Sequence, residues 1–128
     1  MHYVAAAIFS PDLASVLLIK KNRPPWQAGL WNLIGGKVEA GETPETAVCR
    51  EVLEEAGLCI KNPIRVTVLG GKAWTMDVFA VVADLSLARS LTDEPVAIFQ
   101  SDLGNAHHLV CDVSDLVKLA LTVAREII

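Results

Sequence analysis

The 128-residue chain lacks most of what would tie it to a membrane, a secreted scaffold or a nucleic-acid polymer. Its three cysteines, Cys49, Cys59 and Cys111, are odd in number, widely spaced and without a CxxC pair, so neither a disulfide framework nor a zinc site is indicated; they read as small buried apolar residues. No apolar run reaches the roughly 18 residues that span a bilayer. The stretch MHYVAAAIFSPDLASVLLIKK has no charged segment ahead of its apolar part and is broken by Pro11 and Asp12, so it reads as strands and not as an export signal. Basic charge is also short: 11 Lys and Arg against 15 Asp and Glu give a net charge of -4. No basic run could follow a phosphate backbone, which argues against polymeric nucleic acid as a partner. An acidic chain can still take a small polyanion if a divalent cation bridges the two. Repeats, low-complexity tracts and linkers are missing too. The expectation is a single cytoplasmic domain over residues 1–128, a monomer or homodimer with a small-molecule partner.

What the chain does have is a core: 52% of its residues are apolar, enough for one ordinary domain. Tyr3–Phe9 and Val16–Ile19 are short β-rich runs around the turn composition Ser10-Pro11-Asp12, and they predict an antiparallel pair. Lys20 to Gly29, with two prolines, predicts a loop leading to Trp31. Further strands are expected at Val66–Leu69, Trp74–Ala83 and Val96–Phe99, and an amphipathic helix at Val113–Ile128. Strands with one helix in mid-chain and one at the end predict an α/β or α+β arrangement, a mixed sheet sandwiched between helices.

The best-marked element runs from Thr43 to Gly57. Thr43 suits the N-cap, Pro44 the first helical position, Glu45 the positive end and Gly57 the C-cap. At about 100° per residue, Val48, Cys49, Val52, Leu53 and Ala56 are expected on one side, and Arg50, Glu51, Glu54 and Glu55 on the other. Glu51 and Glu55 stand four apart, where like charges repel by a few tenths of a kcal/mol, and the cluster calls for a cation. An ordinary solvated face can also be glutamate-rich, so the spacing alone does not decide. The preceding segment, Gly35-Gly36-Lys37-Val38-Glu39-Ala40-Gly41-Glu42, adds a glycine-punctuated loop that would share one site with the helix.

From Gly36 to Leu58 the chain reads GKVEAGETPETAVCREVLEEAGL, and it resembles the Nudix box, GX5EX7REUXEEXGU with U aliphatic. Gly36, Glu42, Arg50, Glu51, Glu54, Glu55 and Gly57 occupy its fixed positions, with Val52 and Leu58 aliphatic. The resemblance implies the Nudix fold and a hydrolase that uses Mg2+, or Mn2+, to cut a phosphoanhydride bond in a nucleoside diphosphate-linked substrate. It implies Glu51, Glu54 and Glu55 as metal ligands, with the Gly35 carbonyl helping, and Glu42 and Arg50 as groups that orient the glutamates; a surface pairing of Arg50 with Glu54 is the alternative. For the general base it leaves two candidates, a box glutamate such as Glu54 or the distant Glu94, which can otherwise be read as a charged turn residue.

The box does not name the leaving group. Trp31-Asn32 followed by Gly35-Gly36-Lys37-Val38 resembles the MutT-like oxidised-purine nucleoside triphosphatases, as does Met76-Asp77-Val78-Phe79 followed by Asp93-Glu94. That similarity implies Trp31, Asn32, Gly36 and Lys37 on the substrate, with the Asn32 amide reading a purine edge. Trp31 as core and Asn32 as a turn residue is the competing reading. Asn105-Ala106-His107-His108-Leu109-Val110 departs from that group, and its histidines read as solvated. The favoured activity is release of a nucleoside monophosphate and pyrophosphate from a (deoxy)nucleoside triphosphate. An ADP-ribose or nucleotide-sugar pyrophosphatase and a non-catalytic nucleotide-binding domain are the alternatives, although the latter should carry a broken glutamate cluster.

Overall fold

Residues 1–104 and 106–127 are described by the computed structural model. The apolar run at the N-terminus forms β1 (His2–Phe9), and its side chains alternate between two buried faces: Val4, Ala6 and Ile8 point to one, Ala5, Ala7 and Phe9 to the other. Burial on both faces is why this strand reads as a continuous apolar run and not as an alternating one. After β2 (Ser15–Lys20) and a short 3-10 turn (Pro25–Gln27) come β3 (Trp31–Asn32) and β4 (Ile34–Lys37). Helix α1 (Pro44–Ala56) follows, then β5 (Ile64–Gly70), β6 (Thr75–Val82), a second 3-10 turn (Leu85–Leu87), β7 (Val96–Gln100) and α2 (Val113–Ile127).

The strands form one mixed sheet in the order β3-β2-β1-β6-β5, with β4 also paired to β1 and β7 to β2. β1 lies parallel to β6 along its whole length, His2 to Thr75 through Phe9 to Val82. It is antiparallel to β2 only at Ile8–Leu17 and Phe9–Val16, so the expected hairpin is real but short. The longer partner of β2 is β7, from Ser15–Gln100 to Ile19–Val96.

Each face of the sheet carries a helix. Val48, Val52 and Ala56 of α1 pack on Val4, Ala6, Ile8, Phe79 and Val81, while Val113, Val117, Ala120 and Ala124 of α2 pack on Ala5, Ala7, Phe9, Val78 and Ala80. At about 1.5–3 kcal/mol for each fully buried large apolar side chain, these two layers supply the main stabilisation. No helix among the described residues is long and apolar enough to cross a membrane.

Two expectations change. Cys59 and Cys111 are exposed and Cys49 only half-buried, because the first two fall in connections beside α1 and α2 and not on a packed face. Gly35 and Gly36 belong to a strand and not to a loop: β4 pairs with β1 at Ala5–Gly35 and Val4–Gly36, and the connection to α1 begins only at Val38. Of the sequence readings, Asn105 and Ile128 lie outside the described residues.

Candidate active site

The site grows from α1. Thr43 caps the helix by accepting a hydrogen bond from the Thr46 N–H at 3.1 Å, and Gly57 ends it in the left-handed region at φ 69° while donating to the Leu53 carbonyl. Between these ends the expected division into an apolar side and a glutamate side does not hold. Glu51 lies four residues after Ala47 and three after Val48, and Glu55 lies three after Val52, so both fall on the stripe that faces the sheet. Leu53, placed by the periodicity with the core, is 52% exposed. The helix is rotated so that two carboxylates, and not one leucine, turn inward.

Burial separates the three glutamates. The Glu51 side chain is 13% exposed and that of Glu54 is 56% exposed. Burial raises the Glu51 pKa above the usual carboxylate range, and the Arg50 guanidinium opposes that rise. Burial first, and the charge of Glu51 second, push Glu55 up to about 7. Glu55 Oε2 is buried without a hydrogen-bond partner. An unpaired buried carboxylate oxygen beside a second, half-buried carboxylate is costly unless a cation or a proton joins it.

Two glycines of β4 stand where a side chain would collide, one with Glu51 and one with the β1 backbone. A Cβ on Gly36 would collide with the Glu51 carboxylate, so the absence of a side chain there is what lets the glutamate lie against β4. A Cβ on Gly35 would collide with the Val4 carbonyl oxygen across the β1–β4 ladder. Gly41, at φ 82° in the turn before α1, is by contrast required by backbone conformation.

Arg50 is the hub. Its Nε and Nη2 donate to the two oxygens of Glu42 at 2.7 and 2.9 Å, its Nη1 donates to Glu51 Oε1 at 3.0 Å and to Glu54 Oε2 at 3.3 Å, and Nη2 also donates to the Lys37 carbonyl at 3.0 Å. The planar five-donor fork is what makes this reach possible; a lysine could not match it. The Arg50 hydrogen bonds, with one from the Glu39 N–H, hold Glu42 below the usual carboxylate range. The Lys37 side chain is exposed, and the residue joins the cluster through its backbone. Among the described residues no three acidic, histidine or cysteine side chains are already gathered about one metal position. Arg50 lies against Glu51 and Glu54 instead.

Glu94 comes from the segment just before β7, the partner of β2. It is 5% exposed, and both of its oxygens are engaged: Lys21 Nζ donates to Oε1 at 3.1 Å, and the Asn22 N–H to Oε2 at 2.6 Å. Burial raises its pKa, but the Asn22 N–H, the Lys21 ammonium and the Arg23 N–H together hold it below the usual range. Its charge and that of Lys21 also reach Glu55, where Glu94 raises and Lys21 lowers the pKa. Lys21 was not singled out by sequence reasoning, yet a signal existed: Leu17 and Ile19 face α1, and Lys21 is the next residue in that alternation.

Trp31 is half-buried, its ring edge-on to Phe99 at 4.9 Å, and its backbone pairs with the His108 carbonyl and the Val110 N–H. His107 and His108 are themselves exposed. Asn32 accepts from the Leu33 N–H at 2.8 Å and donates to Gln27 Oε1 at 3.1 Å. Asp77 is buried between His2 Nε2 at 2.7 Å and Arg65 Nε at 2.8 Å, away from the glutamates, and serves to tie β1, β5 and β6 together. A cavity of about 380 Å³ lies just beyond the C-terminal end of α1, lined by Gly57, Cys59 and Asp84 among others, and none of the glutamates lines it.

The NUDIX domain model matches residues 1–122. The chain is 56% identical over 45 residues to an oxidized purine nucleoside triphosphate hydrolase of Danio rerio, covering 35% of this chain and 28% of that one. It is 32% identical over 115 residues to the NAD-capped RNA hydrolase NudC of Erwinia tasmaniensis, covering 90% of this chain and 41% of the relative. The chain thus spans less than half the length of these curated relatives. Among solved structures, a MutT NUDIX hydrolase from Burkholderia pseudomallei superposes with a TM-score of 0.77 at 28% identity, covering 92% of this chain and 95% of that one. With the family model spanning nearly the whole chain, and a mixed sheet between two helices beneath it, the chain belongs to the NUDIX family.

Proposed function

We propose that this single domain, residues 1–128, is a divalent-cation-dependent pyrophosphohydrolase of nucleoside triphosphates, with oxidised purine nucleotides among its substrates, working in the cytoplasm. One observation carries the reading: the half-buried Glu55, with Oε2 itself buried and unpartnered, stands beside the half-buried Glu51, which lies against a strand cleared by Gly36. Hard divalent cations prefer such carboxylate and carbonyl oxygens, and the donor set fits Mg2+, with Mn2+ as a substitute. Glu51 and Glu55, with the Gly35 carbonyl, would hold it. When bound, the cation neutralises phosphate charge and renders the attacking water more acidic.

The rest falls to the chain's own residues. Glu54, the exposed member of the cluster, takes the proton from the water that attacks phosphorus; the anhydride P–O bond breaks and pyrophosphate leaves. Glu42 fixes the Arg50 guanidinium from behind, and Arg50 orients Glu51 and Glu54. Glu94 acts at one remove: a carboxylate with a lowered pKa and three donors makes a poor base, and it instead anchors the backbone at Asn22 and Arg23. Asn32 reads the base, and Trp31 holds the strand that presents it.

The similarity to an oxidized purine nucleoside triphosphate hydrolase favours a triphosphate substrate with a purine base. Glu54→Gln in saturating Mg2+ should slow hydrolysis by roughly 10²- to 10⁴-fold, the usual contribution of a general base. An unchanged rate would remove Glu54 from the reaction.

A further inference from the structure

We infer that Gln27 is a positioning residue that fixes which edge of the Asn32 amide meets the base, and so biases the enzyme toward 6-oxo purines; this rests on the reading of Asn32 given above. The Leu33 N–H donates to Asn32 Oδ1 at 2.8 Å, so turning the amide over would set two donors against each other. Asn32 Nδ2 then donates to Gln27 Oε1 at 3.1 Å, an acceptor that rewards the same orientation. One N–H of Asn32 is used in this bond and its second N–H is left to act as a donor. A donor at this place suits the O6 acceptor of guanine-type bases and opposes the N6 amino group of adenine-type bases.

Gln27 can do this because its own backbone is held. It lies in the 3-10 turn Pro25–Gln27, its N–H donates to the Pro24 carbonyl at 2.9 Å, and its carbonyl accepts from the Leu30 N–H at 2.9 Å. Lys21 and Leu30 close the base of this loop, with the Lys21 N–H on the Leu30 carbonyl and the Gly29 N–H on the Lys21 carbonyl, each at 2.8 Å. The same loop is pinned at its start by Glu94, which accepts from the N–H groups of Asn22 and Arg23. One short loop therefore joins the acidic site to the base-reading amide. Since Gln27 is half-buried and starts from a fixed backbone, holding its side chain costs little entropy.

The test is steady-state hydrolysis of dGTP and dATP in Mg2+ by the full chain, comparing wild type with Gln27→Met, Gln27→Glu and Asn32→Ala. Wild type should prefer dGTP. Gln27→Met keeps the length but loses the acceptor, and should cut that preference about tenfold, through KM, with kcat within about twofold. Gln27→Glu restores the acceptor and should restore the preference. If Gln27→Met leaves the preference intact while Asn32→Ala abolishes it, the role of Gln27 is refuted and Asn32 still reads the base. If Asn32→Ala changes nothing, or wild type ignores the 6-substituent, the reading of Asn32 fails and this inference with it. A fall in kcat for Gln27→Met that Gln27→Glu shares would make Gln27 merely structural, and would also overturn the proposal.

Discussion

Replacing Glu55 by Gln should make the metal-free protein more stable, and by an amount that depends on pH. In the folded chain burial and the Glu51 charge push the Glu55 pKa up to about 7 from an ordinary value of 4.5. The folded state thus binds the Glu55 proton more tightly than the unfolded chain does, so this residue's contribution to stability falls as pH rises from 4.5 to about 7 and is constant above that. At about 1.4 kcal/mol per pH unit, the loss reaches roughly 3 kcal/mol at pH 8. Gln has no proton to lose and can still donate to Glu51. Urea unfolding of wild type and Glu55→Gln in chelator should therefore differ little near pH 4.5, with the variant ahead by up to about 3 kcal/mol at pH 8, or roughly 10 °C in Tm for a domain of this size. Taking the difference between the two proteins cancels the titrating groups that Glu55 does not touch; Glu51, which is coupled to it, adds to the same pH dependence. Adding Mg2+ or Mn2+ at pH 8 should restore most of the gap to wild type and give the variant far less. A difference that stays flat across pH, or a variant less stable at pH 8, would refute the account of Glu55 as a buried carboxylate awaiting a cation.

Other perturbations separate fold from chemistry. Gly35→Ala drives a methyl into the Val4 carbonyl, a backbone obstacle that cannot swing away, and should leave little soluble folded protein by circular dichroism. Gly36→Ala meets only the Glu51 side chain, so its melting temperature should hold within a few degrees while Mg2+ affinity by calorimetry falls at least tenfold. Asp77→Asn leaves His2 and Arg65, both partly exposed, without their buried partner, and should cost about 2 kcal/mol in urea unfolding with kcat unchanged. Glu94→Ala strands Lys21 and two backbone N–H groups, and should lower stability by about 2–4 kcal/mol and speed hydrogen exchange at Asn22 and Arg23. Its pH–rate profile should keep the wild-type shape if, as proposed, Glu54 and not Glu94 is the base.

Local signals carried much of this protein. The α1 caps at Thr43, Pro44 and Gly57 are written in residues whose backbone preferences act at short range, and they fall where the structure has them. The alternation that begins with Leu17 and Ile19 in β2 also pointed to Lys21, one residue beyond the strand, although sequence reasoning did not follow it that far. What stayed hidden was set by contacts distant in sequence. The parallel pairing of β1 with β6, and the long match of β2 with β7, join segments about 70 to 85 residues apart that no turn composition announces. The rotation of α1 was misjudged for a related reason: grouping residues by polarity assumes that glutamates seek water, whereas Glu51 and Glu55 are held inward by Gly36, Arg50 and the packing of Val48 and Val52. That departure from the ordinary pattern is itself informative, because buried charge is retained where chemistry needs it. Gln27 left no trace in any pattern; its importance comes only from where the Pro25–Gln27 turn places one side-chain oxygen.

The central claim is that the inward glutamates of α1 serve the cutting of a nucleoside triphosphate between its α and β phosphorus atoms. Phosphorus NMR of dGTP incubated with the protein and Mg2+ tests it most directly, because each alternative cut leaves a different set of products. The account predicts dGMP and inorganic pyrophosphate in equal amounts, formed by wild type and suppressed in Glu55→Gln. Accumulation of dGDP with orthophosphate, or no turnover of any nucleoside triphosphate alongside brisk conversion of ADP-ribose to AMP and ribose phosphate, would contradict it.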